Sequence, residues 1–234
     1  MKITNKHGLI RPLYLALAED EYSSGGADYS VSELISPPLL THLKKKHADE
    51  LECDAMDNLW RVFGTIGHQI ITKHAKGLVE HRFFHEVDGL KISGQPDIIT
   101  GEGELYDLKI QSVWKIKKKD YKDWTAQLNL YDLLAEKSSL VDIRSLRVIA
   151  LLRDWSAGFV GIQKNYPELP IQQIEITRWS RSEQEEYLKE RIRLHESDSK
   201  ALCTSSETWG GKRCKRYCDV KLWCPKYFDK EVNK

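Results

Sequence analysis

The chain has 234 residues, enough for one generous domain or one domain with an appendage, and a chain of that length buries roughly 70% of its unfolded surface without needing staples. Hydrophobic residues make up 41% and charged residues 30%, a globular composition that excludes a collagenous, disordered or fibrous chain. The 36 basic and 35 acidic residues leave a net charge of +1, which excludes a uniformly basic nucleic-acid coat but not a local basic surface.

In chain order, the start MKITNKHGLIRPLYLALAED lacks a signal-peptide layout, because its short apolar part is broken by Arg11 and Pro12 and followed by acids. Residues 30–46 read as a helical segment that Pro37-Pro38 interrupts near its middle. Residues 56–78 read as a long helix, since Met56, Leu59, Trp60, Phe63, Ile66 and Ile70 recur at spacings of three and four. A strand rhythm follows in HRFFHEV, GLKISGQPDII and ELYDLKI, divided by Asp88-Gly89 and Gly101-Glu102-Gly103, both good hairpin signals. Helix returns over 120–137, with Tyr121, Trp124, Leu128, Tyr131 and Leu134 on one side. SLRVIALLRDW (145–155) and IQQIEITRW (171–179) read as strands, 181–196 as a polar helix, and the rest is a short basic, cysteine-rich tail. This order implies an α/β or α+β fold with a mixed central sheet flanked by helices. The expected division is a helical segment 1–55, a core 56–198 and a tail 199–234 within one structural unit. No stretch of about 18 apolar residues occurs, so no membrane span is expected. Five cysteines, an odd number, suit a reducing cytoplasm better than a secreted disulfide scaffold.

The near-zero charge hides an uneven distribution. Residues 80–107 carry seven acids and two bases, and residues 109–122 carry six lysines and one acid, Asp120. Such a pair of segments is either solvated loop or a place to hold divalent cations beside a phosphate backbone. Asp107 and Lys109 are two apart on one strand and share a face. A meander brings Asp97, from GQPDII, beside them. Two close carboxylates repel, and a hard cation such as Mg²⁺ or Mn²⁺ relieves the repulsion. Such a metal polarises a phosphoryl oxygen, and a neighbouring lysine orients water or offsets charge. A lone D-x-K is otherwise a strand-edge salt bridge. His68 lies about 140° from Phe63 around the helix, off the apolar stripe, and faces either solvent or the carboxylates. Gly64 and Gly67 each cost a helix roughly 1 kcal/mol against Ala, which suggests a close approach by another element. Gln127 and Tyr131, four apart, share an otherwise apolar helix face, where a glutamine needs a partner.

Taken together, the G-x-x-x-H-type helix around His68, the G-x-P-D ending at Asp97, the D-x-K of 107–109 and the Q-x-x-x-Y of 127–131 resemble the RecB-like branch of the PD-(D/E)XK nuclease superfamily. The segment SVSELISPPLLTHLKKKHADELECDAMDNLWRVFGTIGH, the RDW of 153–155 and the cysteine tail are similar to phage-type members. The resemblance implies a restriction-endonuclease-like fold and a Mg²⁺- or Mn²⁺-dependent deoxyribonuclease acting on DNA ends or single strands in recombination or repair. The alternative is a DNA-binding accessory module of a helicase or recombinase complex. It implies that His68, Asp97, Asp107 and the Leu108 carbonyl bind the metal and that Lys109 activates or orients the attacking water. Gln127 and Tyr131 would then position DNA or the lysine. Where many relatives carry an acid one turn after the histidine, this chain has Thr72. A phage-encoded member would work in the host cytoplasm.

Cys203, Cys214, Cys218 and Cys224 follow one another at C-x10-C, C-x3-C and C-x5-C. So short a tail cannot bury its own core, and four thiolates suit tetrahedral Zn²⁺ or a [4Fe–4S] cluster. The resemblance, which extends to CRISPR-adaptation exonucleases, favours the cluster. The upstream Cys-Pro of those relatives corresponds to Ser36-Pro37, so the fourth ligand is Cys203 or, alternatively, Cys53. From Lys200 the tail carries nine bases and four acids. With Lys44–Lys46 and the lysines around Lys115 and Lys117, it could form a positive path for a DNA backbone. Trp209, Tyr217 and Trp223 would stack on bases or pack the cluster.

Overall fold

The computed structural model describes residues 1–19, 23–198 and 200–228, with only the backbone at 227–228. Its elements are β1 (Lys2–Thr4), α1 (Arg11–Ala18), β2 (Tyr29–Ser30), α2 (Val31–Leu34), α3 (Pro38–Lys46), β3 (Glu52–Asp54), α4 (Leu59–Thr72), β4 (Leu78–Val79), β5 (Phe83–Val87), β6 (Leu90–Gly94), β7 (Ile98–Ile99), β8 (Glu104–Gln111), α5 (Val113–Lys118), α6 (Lys122–Lys137), β9 (Ser145–Leu152), β10 (Ile171–Ile176), α7 (Arg181–Glu196) and α8 (Lys212–Arg216). The chain forms two compact units, one of residues Ser23–Val31 and Arg61–Tyr187, the other of Met1–Tyr22, Ser32–Trp60 and Leu188–Lys234. The fold is mixed α/β, with a mixed central sheet flanked by helices.

In the first unit, the described strands make a five-stranded sheet ordered β10-β9-β8-β7-β4 and a three-stranded sheet ordered β2-β6-β5. β8 pairs antiparallel with β7 and parallel with β9, so the sheet is mixed and β8 lies inside it. The run expected as one strand over 89–99 is two strands. Pro96 has no N–H for a ladder and breaks the run, so β6 and β7 join different sheets. α6 packs on β5 and β6 and also on β8, β9 and β10. It is therefore buried almost all round rather than on one side, and nearly every residue from Trp124 to Ala135 is enclosed. Its buried polar groups are partnered. Asn129 Oδ1 accepts the Trp179 N–H at 2.7 Å, and Asp132 takes a two-pronged bond from Arg178 at 2.7 and 3.0 Å.

α4 ends at Thr72, short of the expected 78, and its orientation reverses the sequence reading. Phe63 and Ile66 are both 47% exposed and Ile70 is 59% exposed, so the apolar stripe faces outward. The physical reason is Gly67: a Cβ there would lie 3.0 Å from Ile110 Cδ1. The glycine face is the one that approaches β8, and it carries His68 inward.

In the other unit, β1 and β3 pair in parallel. Pro38 restarts the helix broken after α2, since a proline at the first helical position loses no hydrogen bond. Leu39, Leu40, Leu43, Leu51 and Val220 form a core on which Cys203, Cys218, Trp223 and Cys224 pack. Arg191 donates to the carbonyls of Leu34 and Ser36, each at 2.6 Å, and so satisfies backbone acceptors left at the end of α2.

Candidate active site

The β7–β8 register pairs Ile98 with Tyr106 and Ile99 with Leu105; one step further sets Asp97 opposite Asp107. The Leu108 N–H donates to Asp97 Oδ2 at 2.6 Å, and the Glu80 N–H donates to the Asp97 carbonyl at 2.9 Å. Asp97 is thereby fixed from two directions although it precedes β7. From α4, His68 Nδ1 lies 3.0 Å from Asp97 Oδ1 and Nε2 lies 3.0 Å from the Leu108 carbonyl. Lys109 Nζ stands 2.7 Å from Asp107 Oδ2. The five groups singled out from sequence, His68, Asp97, Asp107, the Leu108 carbonyl and Lys109, thus share one place. Leu108 itself turns into the core, as alternation along β8 requires.

The electrostatics follow from this packing. Both partners of His68 are acceptors, an arrangement that favours the doubly protonated ring. Its pKa is raised above 6.5, first by the bond to Asp97 and against the effect of burial. Burial pushes the Asp107 carboxyl upward, with the Lys109 ammonium opposing and Asp97 adding to the rise. Burial disfavours the charge on Lys109, but the attraction of Asp107 outweighs it and the pKa is raised. Lys109 is therefore a cation here, able to donate but not to take a proton.

Asp107 Oδ2 is buried, and what faces it among the described residues is the Lys109 ammonium at 2.7 Å. Two carboxylates and a main-chain carbonyl are hard oxygen donors of the kind Mg²⁺ and Mn²⁺ take, and the imidazole adds a borderline nitrogen donor. As arranged, no three His, Cys, Asp or Glu side chains among the described residues are spaced to hold a metal ion. The donors are instead turned on one another, His68 onto Asp97 and Leu108. The oxygen donors, with Asp107 Oδ2 held by the Lys109 ammonium alone, fit a hard cation.

The other sequence candidates have partners of their own. Gln127 Nε2 donates to Tyr131 Oη at 2.8 Å, and both side chains are buried on α6. Gly94 makes room for the tyrosine, because a Cβ there would lie 2.8 Å from Tyr131 Cδ1. Lys115 pairs with Asp123 at 2.6 Å, and Lys117 donates to Gln163 at 2.9 Å. Thr72, in the place of an acid, turns its hydroxyl back to the His68 carbonyl at 2.8 Å. Asp154, noted in sequence only as part of RDW, accepts the Val113 N–H at 2.7 Å. That contact spans 41 positions and leaves no local signal.

In the other unit, Cys203, Cys214, Cys218 and Cys224 line one cavity together with Leu39, Leu40, Leu43 and Val220. Burial pushes the Cys203 thiol up to about 11 and that of Cys218 upward. Trp223 stacks on His47 at 4.6 Å, whereas Trp209 and Tyr217 are exposed. Among the described residues, no helix is long and apolar enough to cross a membrane.

A family model described as the PD-(D/E)XK nuclease superfamily matches residues 13–225. No curated protein matches significantly. Among solved structures, the crystal structure of SSO0001 is similar at 16% identity and a TM-score of 0.57, covering 92% of this chain and 93% of that one. A candidate exonuclease from Eubacterium rectale is similar at 16% identity and a TM-score of 0.35, with 77% of this chain and 66% of that one covered. At that identity the first likeness speaks for the fold alone, and the second carries no argument.

Proposed function

The chain belongs to the PD-(D/E)XK nuclease superfamily, and from that premise we propose that it is a divalent-metal-dependent deoxyribonuclease of the RecB-like, phage-type branch. In this reading it is an exonuclease acting on DNA ends or single strands in recombination or repair, beside a helicase or recombination protein, and residues 56–198 carry the nuclease core. The convergence of His68, Asp97, Asp107, Leu108 and Lys109 on one point carries the reading. Nucleases of this superfamily typically use Mg²⁺ or Mn²⁺. His68, Asp97, Asp107 and the Leu108 carbonyl would hold the ion, which would supply polarisation of the phosphoryl oxygen and activation of water. Lys109, kept protonated by Asp107, orients the attacking water and offsets the charge that builds on the phosphate. Gln127 and Tyr131 position DNA or the lysine, and Lys115 and Lys117 line its path.

The tail belongs to the same proposal. Cys203, Cys214, Cys218 and Cys224 hold a [4Fe–4S] cluster, with zinc as the alternative. Their shared cavity supports this. Cys53 sits on β3 outside that lining, which favours Cys203 as the fourth ligand. Buried thiols with raised pKa values stay protonated alone, and a metal centre would hold them as thiolates.

The second reading, a non-catalytic DNA-binding accessory module, has one observation in its favour: the donors are not spaced for a metal as they stand. Against it, a pure binder has no use for a buried carboxylate beside a half-buried lysine, since desolvating the pair costs free energy. End-labelled single- and double-stranded DNA, incubated with the protein and Mg²⁺ or Mn²⁺, separates the two. Cleavage that a chelator abolishes supports the nuclease; binding without cleavage in every divalent metal tried puts the accessory role in its place.

A further inference from the structure

Trp114 on the first turn of α5 has no part in the cleavage chemistry proposed above. It is 60% exposed, yet its backbone is firmly held. The Ser112 hydroxyl oxygen accepts the Trp114 N–H at 3.3 Å, and Ser112 donates its own proton to Asp154 Oδ2 at 2.6 Å. The other oxygen of Asp154 accepts the Val113 N–H at 2.7 Å, and the Val113 side chain is buried. Six residues of helix have little stability of their own. These bonds and that buried anchor therefore fix where the ring is presented.

The surroundings are cationic and aromatic. Lys117 Nζ lies over one face of the Trp114 ring, 4.5 Å from its centre, and 5.8 Å from the centre of the Tyr166 ring, where Gln163 holds it. Phe159 meets Tyr166 edge-on at 5.7 Å, and Lys118 and Lys119 are exposed beside them. Trp114 follows Lys109 by five positions, at most about 18 Å of extended chain, so the ring lies within a few nucleotides of the carboxylate cluster.

We propose that the face of the Trp114 ring turned away from Lys117 is a stacking platform for an unpaired base of single-stranded DNA, with the charge of Lys117 and Lys118 drawing in its backbone. The charge of this stretch matches a phosphate chain, and a base has a π-face to offer an aromatic ring whatever its sequence. A duplex keeps those faces inside its own stack, so the platform distinguishes single strands and frayed ends from intact duplex. The inference rests on the nuclease reading and names the substrate form that its site takes.

The test is fluorescence anisotropy with the full chain in EDTA, where metal-dependent cleavage is absent, using fluorescein-labelled (dT)₂₀ and a blunt duplex of the same length. Trp114→Ala weakens (dT)₂₀ binding by between about fivefold and 150-fold, the loss of one base–aromatic stack. Trp114→Phe restores most of it, and duplex affinity is unchanged. Unaltered (dT)₂₀ affinity in Trp114→Ala, or an equal loss on duplex, overturns the proposal. Because the assay reads binding alone, it does not depend on whether cleavage occurs; failure of the nuclease reading shows separately, as an Asp107→Asn protein that cleaves like wild type.

Discussion

His68 Nδ1 and Asp97 Oδ1 lie 3.0 Å apart, and the bond makes the imidazole a competitor for its own metal. With its second nitrogen against the Leu108 carbonyl, His68 is held toward its protonated form, whereas a metal ligand must be neutral. Its folded pKa is raised above 6.5. In the metal-free protein this contributes stability that is fully present below 6.5 and is lost as the pH rises through the folded pKa. Metal binding runs the other way. Affinity for Mn²⁺ should rise with pH up to the folded pKa and level off above it, and each ion bound below that pKa should displace up to one proton. Calorimetric titration in buffers of different ionisation enthalpy measures both. A pH-independent affinity and no proton release would remove His68 from the ligand set.

Gly94→Ala should be costly although it adds a single carbon. That carbon would lie 2.8 Å from Tyr131 Cδ1 and 3.1 Å from Leu134 Cδ2. Both neighbours are buried, so neither yields freely, and overpacking of this kind costs about 1–3 kcal/mol. Thermal unfolding should show the loss, and cleavage should fall with it as the Tyr131 ring shifts. A variant as stable and as active as wild type contradicts the packing described for α6 and β6.

Gln127 and Tyr131 offer a double-mutant cycle. Tyr131→Phe removes the acceptor of the Gln127 amide and should destabilise by about 1–3 kcal/mol, the cost of a buried group left without its partner. Adding Gln127→Leu removes the orphaned group and should recover part of that stability. Cleavage should stay impaired in the double variant, because positioning is lost whether or not the core is repaired. Recovery of activity together with stability would make the pair structural only.

The tail makes its own prediction. Cys218→Ser should lower the unfolding temperature and the bound metal content, while the response of the Asp107 site to Mn²⁺ per folded molecule stays the same. Protein purified without oxygen should be brown and carry iron. A colourless protein with stoichiometric zinc would replace the cluster by the alternative metal.

Much of the site was legible because its signals are local. The G-x-P-D and D-x-K segments sit on either side of a Gly-x-Gly turn, and antiparallel pairing then sets Asp97 opposite Asp107. The direction α4 faces was not legible from its apolar stripe. Periodicity reports that a stripe exists, not that the sheet receives it; here Phe63, Ile66 and Ile70 face outward because Gly67 fits against Ile110. The two glycines were the better guide, although only Gly67 meets a neighbour. Pro96 counts in the sequence as part of the G-x-P-D motif, and in the fold it also hands the chain from one sheet to another. The hold of Asp154 on α5 joins residues more than forty positions apart, a distance no pattern rule spans.

The central claim is that Asp107 is a metal-binding catalytic carboxylate rather than half of a structural ion pair with Lys109. Single-turnover cleavage of end-labelled single-stranded DNA in Mn²⁺, wild type against Asp107→Asn, tests it most directly, with DNA binding in EDTA as the check that the variant is folded. Binding should persist while the cleavage rate falls on the order of 100-fold or more. An Asp107→Asn protein that binds and cleaves at the wild-type rate would contradict it.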